Sequence, residues 1–119
     1  MVLYTVMTRG STVLAEYGFG GNDYSSECTA QILKNLKPGS RLVNFNSKYA
    51  AILNKKCDGD MYSFASVIES QEDRDQAFGL LEQISEFFEY EKKNNPSKIT
   101  SEITIHMSRQ IRTLMVSRG

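Results

Sequence analysis

Several stretches of this 119-residue chain hold residues whose types and spacing could carry chemistry. Gly18-Phe19-Gly20-Gly21 sits between a strand-like run ending at Tyr17 and a helix-like run. That is the outline of a loop that cradles phosphate at a helix N-terminus. The dinucleotide fingerprint G-x-G-x-x-G would place its third glycine at position 23, where Asp23 stands. The lysine and hydroxyl of a P-loop are absent as well. Asp23 and Glu27 put carboxylates where a bound phosphate would lie, and like charges repel at close range. The stretch reads as a connector, with Asn22 or Asp23 near the N-cap of the following helix.

Other candidates fail on spacing. "CDGDMY" has the start of a calcium loop, with Asp58 and Asp60 as first ligands, but Tyr62 takes the next ligand position and no matching glycine follows. A hairpin turn accounts for Asp58, Gly59 and Asp60. His106, the only histidine, borders an apolar helical stripe beside Met107, with no cysteine at dyad spacing. It reads as a structural histidine. Cys28 and Cys57 are far apart and form no C-x-x-C pair, so they supply neither a disulfide framework nor a zinc site. They read as reduced thiols of an intracellular protein. Glu82, Glu86, Glu89 and Glu91 are spaced as a solvated helix face. The residues predict no catalytic group, no metal and no cofactor.

The elements that hold these residues follow from hydrophobic period. "VLYTVMT" and "STVLAEY" are rich in β-branched and aromatic residues, and Arg9-Gly10 between them predicts a tight hairpin. From about Tyr24 to Leu36, the residues Cys28, Ile32, Leu33 and Leu36 recur at helical spacing, and Pro38-Gly39 stops the helix. "RLVNFN" alternates, with Val43 and Phe45 facing one way and Leu42, Asn44 and Asn46 the other. "KYAAILNKK" and "DMYSFASVIE" predict two strands joined at Asp58-Gly59.

The period then becomes helical. In "DRDQAFGLLEQISEFFEYEKK", Phe78, Leu81, Ile84, Phe87 and Phe88 mark an apolar face. Asp73 and Asp75 near its start and Lys92 and Lys93 near its end suit the helix dipole. A last helix runs from about Thr100 to Ser117, with Ile103, Met107, Ile111 and Leu114 stacked. The order β-β-α-β-β-β-α-α predicts an α+β domain whose single meander sheet carries helices on both faces.

Length fits one domain over residues 1–119. Lysine and arginine number 14 and aspartate and glutamate 14, a neutral balance that argues against general nucleic-acid binding. No apolar run approaches the roughly 18 residues of a membrane span, and neither a signal peptide nor a prenylation box is present. The chain reads as soluble.

"MVLYTVMTRGSTVLAEY", the glycine-rich connector, "TAQILKNLKPG", "NFNSKY" and "DRDQAFGLLEQISEFF" together resemble longin domains. These are the N-terminal regulatory domains of vesicle-fusion R-SNAREs (the synaptobrevin-like SNAREs), and the resemblance is nearest to the vesicle-associated membrane protein seven type. It covers essentially the whole chain. It implies a profilin-like fold with a five-stranded sheet in order 2-1-5-4-3, antiparallel or mixed, the first helix on one face and the last two on the other.

The resemblance also implies a function. Longin domains are non-enzymatic protein-interaction domains that act in vesicle-mediated transport and membrane fusion, on the cytoplasmic face of vesicles and endomembranes. They bind their own SNARE motif, other SNAREs or trafficking adaptors through an apolar groove between the first helix and the third strand. Carried onto this sequence, the groove falls on Ile32, Leu33, Leu36, Leu42, Val43 and Phe45. Asn44 stands where an ungapped match has an aromatic, with Phe45 one position on. The residues after Ser117 hold no SNARE heptads and no anchor, so any membrane attachment is expected from a C-terminal anchor beyond these residues. The alternative is a longin-fold small subunit of a tethering or coat-adaptor complex.

Overall fold

The computed structural model describes residues 1–19, 24–94 and 100–118. Strands β1 (Val2–Arg9) and β2 (Thr12–Gly18) are followed by helix α1 (Ser25–Lys34). Strands β3 (Gly39–Phe45), β4 (Lys48–Cys57) and β5 (Asp60–Ile68) come next. A 3-10 turn at Gln71–Asp73 leads into α2 (Arg74–Asn94), and α3 (Thr100–Arg118) ends the described chain. The five strands form one antiparallel sheet in the order β2-β1-β5-β4-β3. This is the α+β architecture and the strand order implied by the resemblance.

Turn chemistry sets the register. The β4–β5 hairpin closes through Asp58 at φ 53° and Gly59 at φ 86°, flanked by the Cys57–Asp60 pair. Two successive positive φ values match the twist of the flanking strands, which is why an Asp-Gly pair marks this turn. In the first hairpin Arg9 belongs to β1 and pairs with Thr12, so the turn itself is Gly10-Ser11, with Gly10 at φ 58°. A register shift between Met7 and Thr8 leaves Leu14 as the extra residue, and Leu14 and Ala15 both enter the same core.

The sheet separates two cores. On one face α1 packs over Tyr4, Val6, Ile52 and Val67, with Cys28 and Ile32 pointing inward. Ile52 pairs with Ala65 and Val67 with Ala50, so each large side chain sits opposite a small one. The small residues let α1 lie close to the sheet. On the other face α3 packs on β2, and α2 packs on β4 and β5. The large core there joins Met7, Phe64 and Ile68 to Leu80, Leu81, Ile84, Met107 and Ile111.

Two helix faces differ slightly from the sequence expectation. Ala77, Leu80, Leu81, Ile84 and Phe88 are the deeply buried apolar side chains of α2, while Phe78 and Phe87 pack at the margin. In α3 the buried stripe is Ile103, Met107, Ile111 and Met115, with Leu114 beside it. Each four-residue step turns the stripe by about 40°, so the buried line winds around α3 and reaches Met115, with Leu114 at its margin. Among the described residues, no helix is long and apolar enough to cross a membrane.

Candidate protein-binding site

Helix α1 and edge strand β3 form one flank of the molecule, and hydrogen bonds tie them together near both helix ends. Near the start of α1, Asn46 Nδ2 donates to Glu27 Oε2 at 2.6 Å. Asn46 holds φ 56° in the β3–β4 turn, a left-handed conformation that Asn tolerates better than most residues. Past the other end, Asn54 Nδ2 donates to the backbone carbonyls of Asn35 at 2.5 Å and Lys37 at 2.9 Å. Asn54 is a buried residue of β4, so its amide anchors the α1–β3 connection to the sheet. Arg41 Nη2 reaches the same Lys37 carbonyl at 2.9 Å.

The helix end is satisfied locally. The Asn35 backbone N–H donates to Ile32 O and its side chain to Gln31 O, at 2.9 and 2.8 Å. These bonds occupy carbonyls that a helix C-terminus leaves open. The N-cap residue is Tyr24, with no side-chain capping bond. Gly20, Gly21, Asn22 and Asp23, which include the expected N-cap, lie outside the described residues.

The six groove residues do not share one surface. Ile32 and Phe45 are core, at 0% and 2% exposure, whereas Leu33 and Leu36 are 44% and 37% exposed. The Phe45 ring lies 5.9 Å from that of Tyr24, which in turn lies 6.2 Å from Tyr4. Ile32 and Phe45 therefore support the flank from below instead of presenting it to solvent. Val43 is half-buried against this same α1-side core. Leu42 packs into the opposite core, under α2 and α3, because neighbouring strand residues point to opposite faces. The accessible apolar residues on the α1 side are thus Leu33, Leu36 and Val43.

Their surroundings are charged. Lys34 and Lys37 are exposed near the C-terminal end of α1, and Arg41 is half-buried on β3. Glu27 and Glu16 stand toward the other end, where Ser25 Oγ donates to Glu16 Oε2 at 3.3 Å. The flank therefore runs from acidic to basic along α1. Among the described residues, β3 has a hydrogen-bonded neighbour on one side only, in β4. An edge strand of this kind can accept an added strand.

Reactive groups are quiet here. Burial, helped by the Glu16 charge, pushes the Cys28 thiol up from its ordinary value to about 12, so it stays protonated near neutral pH. A protonated buried thiol is a poor nucleophile. Burial also raises the Tyr4 phenol. Two residues that shape this flank, Asn54 and Asn46, were invisible as a pair in the sequence. The available signal was a polar residue, Asn54, directly after the apolar run "AAIL", and an Asn in a two-residue hairpin turn.

No protein-family description matches the chain, and no curated protein sequence matches it. The longin resemblance therefore rests on the quoted motifs, and what the structure adds is the architecture.

Proposed function

We propose that this chain is a longin-type regulatory domain of a vesicle-fusion SNARE. It is a non-enzymatic interaction module that acts on the cytoplasmic face of vesicles and endomembranes. It binds an apolar segment of its own SNARE motif, of another SNARE, or of a sorting adaptor. Membrane attachment in this reading comes through a C-terminal anchor outside these residues. The single observation that supports it best is the α1–β3 flank, where Leu33 and Leu36 stay exposed beside an open strand edge. Exposed leucines of this kind, Leu33 on α1 and Leu36 just past its end, suit a partner that lays apolar side chains across the flank. Lys34 and Lys37 add a preference for segments with acidic residues next to the apolar ones.

The test is an NMR titration of the labelled domain with SNARE-motif and adaptor peptides of that pattern. Shifts concentrated on Leu33, Leu36 and Val43, lost in Leu33→Asp/Leu36→Asp, are the expected result. Shifts confined to the α2 and α3 face would overturn the assignment of the flank. A large co-purifying subunit seated on it would favour the tethering or coat-adaptor reading.

A further inference from the structure

The α2/α3 side holds a cavity that the proposed binding flank does not use. It measures about 200 Å³ and opens at the end of the sheet where α2 finishes and α3 begins. Its floor is apolar, from Met7 and Leu14 on the sheet, Phe88 on α2, and Ile103 and Met107 on α3. A well-packed core leaves few voids of this size. An apolar cavity of about 150 Å³ stays dry and takes up benzene. The volume here therefore suits one aromatic ring or a short branched chain with a small polar head.

The mouth supplies the polar complement. Arg9, Lys92 and Asp60 line it. Lys92 is already committed: its Nζ pairs with Asp58 Oδ2 at 3.2 Å and stands 5.4 Å from the centre of the Tyr62 ring and 5.8 Å from that of Phe88. Arg9 is different. It pairs with Tyr62 in the β1–β5 register, at the end of the strand that carries Met7 into the floor two residues earlier. It is only half-exposed, and no ion pair or side-chain hydrogen bond holds it among the described residues. A guanidinium so placed has its fork of donors available for a carboxylate. Asp60 on the same rim repels a second negative charge, so a monoanion is favoured over a phosphate dianion.

We propose that this cavity binds a small amphipathic monocarboxylate, with the apolar body between α2, α3 and the sheet and the carboxylate on Arg9. The site is separate from the α1–β3 flank, and its failure would leave that reading untouched. The probes are 3-phenylpropionate, its uncharged counterpart 3-phenylpropanol, and inorganic phosphate, titrated into methyl-labelled protein. Saturable shifts on the methyl groups of Met7, Leu14, Ile103 and Met107 are expected with the carboxylate, and none with phosphate. Arg9→Gln should weaken the carboxylate at least about tenfold, the worth of a charged hydrogen bond, and leave the alcohol within about twofold. Ile103→Phe, which fills the floor, should remove both. Absent carboxylate shifts, equal shifts with phosphate, equal weakening of carboxylate and alcohol in Arg9→Gln, or undiminished binding in Ile103→Phe would each overturn the proposal.

Discussion

Asn54 donates from one amide nitrogen to the backbone carbonyl of Asn35, at 2.5 Å, across 19 residues of sequence. The same nitrogen reaches Lys37 O at 2.9 Å, so a single buried side chain of β4 holds the chain as it leaves α1 and enters β3. Asn54→Ala removes both bonds and leaves the two carbonyls without this donor. The expected loss is about 1–2 kcal/mol, because both bonds are part-buried and the Lys37 carbonyl keeps Arg41 Nη2 as a donor. Asn54→Asp should be worse near neutral pH, because a carboxylate would face two carbonyl oxygens. In that variant protonation restores a donor, so stability should partly recover at acidic pH. Urea melts at two pH values check both variants, with a moved midpoint at unchanged slope as the expected form.

Phe45 and Leu33 should separate folding from binding. Phe45 is core, so Phe45→Ala is expected to lose about 3–5 kcal/mol. Leu33 is 44% exposed, so Leu33→Ala should change stability by no more than about 0.5 kcal/mol. If the α1–β3 flank receives a partner, Leu33→Ala weakens that partner while the fold is untouched. Calorimetry on the free domain and peptide titration together make the comparison. A large stability loss in Leu33→Ala would mean that the residue is packed and not presented.

The Cys28 thiol gives a pH dependence with a definite sign. Its value rises from 9.0 to about 12 on folding, chiefly through burial. Between those limits the unfolded chain releases a proton that the folded chain keeps. Stability from this group is full below pH 9 and falls as pH rises, by about 1.4 kcal/mol per unit across the window. The Tyr4 phenol is shifted in the same direction by its burial. Urea midpoints measured from pH 8 to 10.5 should fall steeply in the native chain and less steeply in Cys28→Ala. A parallel fall in both would show that Cys28 is not responsible. Thiol reagents at pH 8 should leave Cys28 unlabelled until the protein unfolds.

The strands, turns and helices were legible because they depend on local signals. Gly10 and Asp58-Gly59 mark turns that only certain residues adopt, and the helical stripes repeat over many positions. The sheet order came with the resemblance and not from periodicity, which does not record which strands are neighbours. The binding flank was legible only in outline. Ile32 and Leu33 are adjacent and differ by about 100° around a helix, so one is core and the other surface. Leu42 and Val43 are separated by the strand alternation in the same way. Naming all six residues therefore mixed both faces of β3 with both sides of α1. The anchoring role of Asn54, the place of Arg9 at a cavity mouth and the cavity itself were not legible for another reason: the residues that meet there lie on elements distant in sequence, and a turn, a polar residue or an apolar stripe does not say what it will face.

The β4–β5 turn offers a test that separates backbone conformation from charge. Asp58 adopts φ 53° and also pairs with Lys92 at 3.2 Å. Asn tolerates the left-handed region as well as Asp does, so Asp58→Asn keeps the turn and removes the charge. Asp58 is largely solvent-exposed, and exposed ion pairs contribute at most about 1 kcal/mol, so the loss should stay below that. Asp58→Val puts a β-branched side chain into a left-handed residue and removes the pair together. Its loss should exceed that of Asp58→Asn by roughly 1–2 kcal/mol, the penalty of that backbone region. Salt discriminates between the terms: raising ionic strength should shrink the Asp58→Asn effect and leave the extra loss in Asp58→Val unchanged. Melts of both variants at low and high salt measure the two contributions. Equal losses in the two variants would mean that the strain is relieved elsewhere in the hairpin.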